Sequence, residues 1–315
     1  MWKYTVRRIL QMIPVLLGVA TIVFFLINFI PGNPVKIWLG PDPQKQMAAE
    51  RLIRKFGLDK PVHIRYGKYL WQLLRGNLGQ SIIQQEPVAQ MILYRLRVTV
   101  PLATLSLIFA VIFAIPIGIY SATHRNQPLD HISRIFALFG VSTPAFWIGL
   151  MMIILFSFNL GWLPTGGYVS ILESPIGFFR HMIMPIITLG TALMATSMRI
   201  TRSSMLEVLR EDYVSTARAS GVSELKIIFK YAFRNACLPV LTVIGITMPV
   251  LFGGSVVTET IFSLPGLGRL TIQALTNRDY PTLMGTTIFF SILFLTSMLL
   301  IDLAYAYLDP RIRYD

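Results

Sequence analysis

Acidic residues are scarce in this sequence and cysteine is nearly absent. Of 315 residues, 15 are Asp or Glu, against 28 Lys or Arg, and one is a cysteine, Cys237. A single cysteine excludes an intrachain disulfide and every CxxC metal or redox motif. The histidines His63, His124, His131 and His181 form no HExxH pair, and no GxxxxGK[ST] phosphate loop occurs. The sequence therefore shows no zinc-hydrolase or Walker-type nucleotide site. Charged residues make up 14% of the chain and hydrophobic ones 54%, with mean hydropathy +0.62. Globular domains run nearer a quarter charged. The net charge of +13 would ordinarily point to nucleic acid. That partner needs a soluble basic face, which so apolar a composition does not supply, so no nucleic-acid partner is expected. Low charge with many aromatics also excludes disorder. A membrane protein fits both the hydropathy and the charge.

A spanning helix needs about 20 apolar residues. Six stretches approach or exceed that: Ile9–Ile30, Val98–Thr123, Ile135–Phe158, Met182–Met198, Cys237–Thr258 and Leu283–Leu308. Met182–Met198 is the shortest. Lys3, Arg7 and Arg8 ahead of the first stretch resemble a signal-peptide n-region. The apolar run is too long for an h-region and no A-x-A site follows, so a retained helix is expected. Six spans put both termini on one side. The Lys/Arg census over the two sets of loops is tied at 14 each. Loop 31–97 carries 11 of these and exceeds the length over which the positive-inside rule applies. Without it the balance is 14 against 3, and both termini are predicted cytoplasmic. Arg95 and Arg97, beside the second span on the outer side, violate the rule locally. Prolines and glycines recur in the spans, such as Pro116, Pro144, Pro185, Gly140 and Gly190. They fit either close packing through small residues or helices bent around a pathway.

The outer loop 31–97 follows the turn Pro31-Gly32-Asn33-Pro34 and is not low-complexity. Ala49, Leu52, Ile53 and Phe56 recur at helical spacing, as do Val62, Tyr66, Tyr69, Leu70 and Leu73. A helical extracytoplasmic cap is expected, serving either to dock a protein or simply to pack on the spans. Its net charge is +7, and an acidic face of a delivery protein or lipid headgroups would suit it. The cytoplasmic loop 199–236 reads as helix, sharp turn, helix. Ser203-Ser204, with Glu207 three residues after Ser204, form a capping-box start. Gly221 looks like a helix end and Ser223 a new N-cap. Small residues Ser215, Ala217, Ala219, Ser220 and Gly221 leave a surface that another protein could approach. A solvated loop that merely obeys positive-inside fits the pattern as well.

At this loop the chain resembles the permease subunits of binding-protein-dependent ABC importers, whose hallmark is E-A-A-x3-G-x9-I-x-L-P. Ala217, Gly221 and Leu238-Pro239 match the second alanine, the glycine and the terminal Leu-Pro. Ser215 and Thr216 replace the first two residues, and the spacing from Gly221 to Leu238 is longer. Both departures are features of the peptide/nickel subclass. The stretches that carry the resemblance run nearly the whole chain: FIPGNPV (29–35), FGLDKPVHIRYGKYLWQLLRGNLGQSI (56–82), STPAFWIGL (142–150), GWLPTGGY (161–168), TRSSMLEVLREDYVSTARASGVSE (201–224), ETIFSLPGLGRL (259–270), NRDYP (277–281) and LDPRIRY (308–314). The long outer loop is similar to that of the first permease of such pairs.

The resemblance implies an all-α integral membrane protein with six transmembrane helices in the bacterial or archaeal cytoplasmic (inner) membrane. It implies residues 1–30 as N-terminus and first helix, 31–97 as the extracytoplasmic loop and 98–315 as a five-helix permease core. Implied partners are a second homologous permease, two ABC ATPase subunits and an extracytoplasmic substrate-binding protein, with membrane lipid around them. No cofactor is expected in this chain, because ATP and Mg would sit on the ATPases, and no catalytic or metal-ligating residue is expected. Glu211, Asp212, Tyr213, Ala217, Arg218 and Gly221 would form the coupling helix in an ATPase groove. Thr143, Trp147, Asn159 and Tyr168 are the candidate pathway lining. Short peptides are the expected cargo, with nickel complexes or glutathione as alternatives within the family.

A stand-alone channel or secondary transporter is the alternative of a different class. It would ordinarily carry ionisable groups at mid-membrane. Gln11 and Asn28 are uncharged, and Asp302 lies near the cytoplasmic end of the last span, where a partner arginine or helix end is its expected role. A membrane enzyme would need a cluster of catalytic groups, and none is apparent.

Overall fold

The computed structural model describes residues 2–29, 35 and 46–308. Residues 31–34 and 309–315, and with them the proline-rich turn and the last of the C-terminal tail, lie outside the described residues. The described residues contain helices and no strand, apart from one bridge between Gln80 and Pro87. In chain order these are α1 (Trp2–Phe29), α2 (Gln46–Phe56), α3 (Val62–Leu74), α4 (Val88–Thr123), α5 (Pro128–Ser142), α6 (Ala145–Met152), α7 (Pro175–Val208), α8 (Asp212–Ala219), α9 (Glu224–Ile261), α10 (Leu267–Thr276) and α11 (Tyr280–Leu308). A π-helical stretch Ile153–Asn159 prolongs α6, and another, Ile227–Ala232, lies within α9.

Five helices are long and apolar enough to cross a membrane, and a sixth span is formed if α5 and the α6 segment count as one. That sixth element corrects the sequence reading of a single helix over 135–158. The axis turns by 107° at its break. Pro144 disfavours helical backbone at the residue before it, and Thr143 is extended at φ −89, ψ 128. The stretch expected to be shortest, 182–198, lies inside the 34-residue α7 and is mostly buried. Thr188, Thr191 and Ser197 lower its hydropathy, and all three are buried within the protein.

The chain divides into two compact units: residues 1–99 with 265–315, and residues 100–264. In the first unit α1 packs along α11. Arg8, near the start of α1, pairs with Asp302, near the end of α11, at 3.1 Å. The aromatic positions read from the outer loop meet α1: Tyr66 and Tyr69 lie against Phe24, and Thr21 Oγ1 and Tyr66 Oη are 2.8 Å apart. Val88, Met91 and Ile92 of α4 form a core with Leu267 and Leu270 of α10. The corner between α10 and α11 is tied to the loop before α4 through Asp279, whose carboxylate is buried. It accepts hydrogen bonds from Ser81 Oγ (2.5 Å), the Ile82 amide (3.0 Å) and Thr282 Oγ1 (2.7 Å).

In the second unit α7 packs against α9, α5 and α6. Close approach to α4 needs bare backbone: a Cβ on Gly190 would stand 2.8 Å from both Phe109 Cδ1 and the Ser106 carbonyl. The Gly166–Gly167 corner folds onto fully buried Phe262, whose carbonyl accepts the Gly167 amide at 2.9 Å.

Candidate functional site

The cytoplasmic-loop residues form one compact corner. The expected helix start at Ser203-Ser204 is absent, because α7 runs unbroken through Val208. Burial explains the continuation. Met205 is fully enclosed, in a cluster with Ile119 and Ala122 of α4 and Ala232 and Ala236 of α9. An interior stripe rewards another turn of helix more than a capping box rewards stopping.

The chain then turns at Arg210 and Glu211 into α8, eight residues long. Glu211 takes the N-cap position with extended backbone but makes no side-chain capping bond there. Asp212 opens the first turn, where a carboxylate complements the helix dipole. Val214 is the buried side chain of α8 and anchors it. Ala217 is half-buried; Glu211, Asp212, Ser215, Thr216 and Arg218 are exposed.

The end of α8 is closed in the way the sequence indicated. Gly221 is left-handed at φ +77. The Gly221 amide donates to the Arg218 carbonyl and the Val222 amide to the Ala217 carbonyl, at 3.1 and 3.2 Å. This 5→2 and 6→1 pair is a Schellman closure. A Cβ on Gly221 would meet nothing within 4 Å, so within this chain the position needs glycine for its backbone angle and not for room. Ser223 stands at the N-cap of the next helix without a side-chain capping bond.

Two contacts fix the corner to α9. The Arg218 guanidinium grips Glu224 with two nitrogens, at 2.6 and 3.3 Å. That pairing raises the arginine above its ordinary value. Tyr213 Oη accepts from Asn235 Nδ2 at 2.8 Å and donates to the Tyr231 carbonyl at 3.4 Å. Two of the six residues read from sequence, Tyr213 and Arg218, thus hold the corner together. Glu211, Asp212, Ser215, Thr216, Ala219 and Gly221 are exposed and make up its free face. Leu225 and Phe229, one helical turn apart, add an exposed apolar edge at 71% and 57% exposure.

A buried charge network behind this corner was not read from the sequence. Asp130 of α5 is fully enclosed and accepts from Arg202 Nε (2.6 Å) and Nη2 (2.9 Å), Ser121 Oγ (2.5 Å) and the Asn126 amide (3.0 Å). Ser133 Oγ donates to Ser121 Oγ at 3.0 Å. The network joins α4, α5 and α7, and α7 leads directly into α8. The available signal was a lone acid in the first turn of a helix, in a chain with few acids.

The pathway candidates are less convergent. Thr143 stands at the break between α5 and α6. Trp147 is one turn on, 42% exposed, with its ring edge-on to Phe139 at 6.2 Å. Asn159 ends the π-helical stretch and is exposed. Tyr168 packs edge-on to Phe178 of α7. A cavity of about 330 Å³ in this unit is lined instead by Ser133, Arg134, Met198, Arg199 and their neighbours. Thr143 and Trp147 share the break; Asn159 and Tyr168 are set apart from it along the chain. Among the described residues no group of three or more His, Cys, Asp or Glu side chains could hold a metal ion.

A family profile described as the inner membrane component of binding-protein-dependent transport systems matches residues 114–314. A second profile, for the N-terminal part of such membrane components, matches residues 1–103. The chain belongs to this permease family. Among its relatives, a protein named as a peptide transport system permease of Brucella abortus (strain 2308) is 43% identical over 309 residues, 98% of each chain. The glutathione transport system permease protein GsiC of Salmonella paratyphi A is 40% identical over 315 residues, all of each chain. A solved structure of the MetNI methionine ABC transporter in an inward-facing conformation has a chain that superposes with TM-score 0.53 at 18% identity. The superposition covers 72% of the present permease and 98% of that chain. At that identity the likeness concerns the fold: the permease shares the helical architecture of an ABC importer's membrane subunit. It is a multi-pass inner-membrane protein of a bacterial importer family.

Proposed function

We propose that this permease forms half of the pore of an ATP-driven importer of short peptides, and that α8 is its coupling helix. The observation that carries the reading is the corner Glu211–Glu224. There a short helix with one buried anchor is closed by a left-handed glycine and locked to the next span by a guanidinium–carboxylate fork. The outward face is left free, as docking on another protein requires. Rigid elements of this kind convert a partner's motion into a rigid-body displacement of attached helices. The attached elements are α7, the long buried helix, and α9. The broken helix at Thr143–Pro144 supports alternating access, because interrupted spans place free backbone groups beside a pathway.

Two ATPase subunits, a second homologous permease and an extracytoplasmic binding protein complete the proposed complex, with ATP and Mg held by the ATPases. Both termini and α8 face the cytoplasm. The juxtaposed ends of α1 and α11 support a common side, and the Lys/Arg balance supports the inner one. Relatives named for peptide and for glutathione, itself a tripeptide, support short peptides as cargo.

Reconstitution in proteoliposomes tests the proposal. ATP-dependent uptake of a dipeptide or of glutathione is expected only with the second permease, the ATPases and the binding protein present. Uptake by this polypeptide alone would overturn the assignment. A cysteine placed at Ser215 is expected to crosslink to an ATPase subunit, and its failure to do so in an active complex would remove α8 from the contact.

A further inference from the structure

The first unit holds a cavity of about 410 Å³ that the coupling corner and the transport reading leave unused. Its apolar wall comes from Phe24 and Ile27 in the last turns of α1 and Met284 in the first turns of α11. The lining also includes four cations, Lys55, Lys60, Arg65 and Lys68, and no Asp or Glu. Lys55 donates to Gln85 Oε1 at 2.7 Å. Lys60, Arg65 and Lys68 have no ion-pair partner among the described residues. Arg65 is half-buried, and that burial lowers it from its ordinary value, while Lys60 and Lys68 are exposed.

The cavity also has a definite place on the spans. It lies where α1 ends and α11 begins, so its apolar part belongs to hydrocarbon and its cations to the headgroup level. Tyr69 and Tyr280, of a residue type enriched at that level, share the wall. The Oη of each is shut from solvent and has no hydrogen-bond partner among the described residues. Burial and the neighbouring Tyr66 push Tyr69 up to about 12. Buried polar atoms without partners are uncommon and call for an explanation. A free inorganic anion leaves the apolar half unused, and a neutral lipid leaves the cations unpaired. An anionic amphiphile uses both.

We propose that this cavity binds one anionic phospholipid, its phosphate among Lys60, Arg65 and Lys68 and an acyl chain along Phe24, Ile27 and Met284. With the termini inside, as proposed above, the lipid belongs to the outer leaflet. Basic pockets beside membrane helices bind lipid headgroups through the same forces.

The test uses the full chain purified in an uncharged detergent, with its melting temperature read against added dioleoylphosphatidylglycerol, dioleoylphosphatidylcholine and inorganic phosphate in separate titrations. Phosphatidylglycerol alone is expected to raise the melting temperature. The triple variant K60Q/R65Q/K68Q is expected to need at least fivefold more of it for half the effect. Ile27→Trp fills the apolar half and leaves every cation in place. It is expected to weaken the same response, and it keeps the claim testable if the triple variant does not fold. An equal response to phosphatidylcholine, or an unchanged response in a folded variant, would overturn the site. A response to phosphate as large as that to phosphatidylglycerol would assign it to a free anion and overturn the lipid. Uptake is not read, so failure of the transport reading leaves the outcome interpretable.

Discussion

Asp130 and Arg202 show what single residues do in a chain with few acids. A carboxylate with no exposure is tolerated because four donors surround it. Removing one partner of a buried pair typically costs about 3–5 kcal/mol, because the other charge is left uncompensated. Asp130→Asn is therefore expected to lower the melting temperature of the detergent-purified protein markedly. Arg202→Lys should lower it less, since it keeps the charge and loses the fork. Equal melting of wild type and Asp130→Asn would show that the network contributes nothing. Gly221 presents a different residue-scale choice. Its φ of +77 costs an L-residue about 1–2 kcal/mol, and asparagine tolerates that region better than alanine does. If the backbone angle is what matters, Gly221→Asn retains more ATP-dependent uptake than Gly221→Ala. If a bare contact with an ATPase is what matters, the smaller alanine retains more. The open space around Gly221 within this chain favours the first order.

At the scale of elements, α7 organises the second unit. Its approach to α4 depends on Gly190, where any side chain would meet the Ser106 carbonyl and Phe109. Overpacking of this kind costs about 1–3 kcal/mol. Gly190→Val should reduce the melting temperature, and Phe109→Ala in the same chain should restore only part of the loss. The carbonyl is backbone and cannot be trimmed. Full restoration would mean that the ring alone sets the distance. The break between α5 and α6 is the other decisive element. Its cause is local, at Thr143-Pro144. Its size is not local, because Gly149 just beyond the break lies against Phe262 Cε2 and Thr188 Cγ2, each 3.3 Å from the position of a Cβ.

For the whole molecule the testable property is topology. In a Cys237→Ser background, a cysteine at Ser215 should react with a membrane-impermeant thiol reagent only in inverted vesicles, and one at Gln72 only from the cell exterior. Reaction of both from the same side would overturn the proposed orientation. Much of this architecture is legible in the sequence alone. Membrane spans announce themselves through hydropathy, since an unpaired backbone in lipid leaves little alternative to a helix. The helices over 49–56 and 62–73 follow from period, and the end of α8 follows from one glycine. The position of Asp302 implies an arginine or a helix end as its partner, and the partner is Arg8. Local patterns decide such features because the energies that set them act within a few residues. The continuation of α7 through Ser203-Ser204, the 107° turn before Ala145 and the enclosure of Asp130 are of another kind. The continuation, the enclosure and the size of the turn (though not its place) depend on side chains that come from distant parts of the chain and are adjacent only once it has folded. A capping box, a proline or an acid in a first turn reads the same whether or not a partner helix lies beside it. Composition and periodicity thus determined that this is a helical membrane protein, and the motif stretches, not the composition, carried the permease resemblance. Which helix is broken, which is buried and which charges are paired was decided by tertiary packing, because burial outweighs local preference wherever another helix supplies the contact.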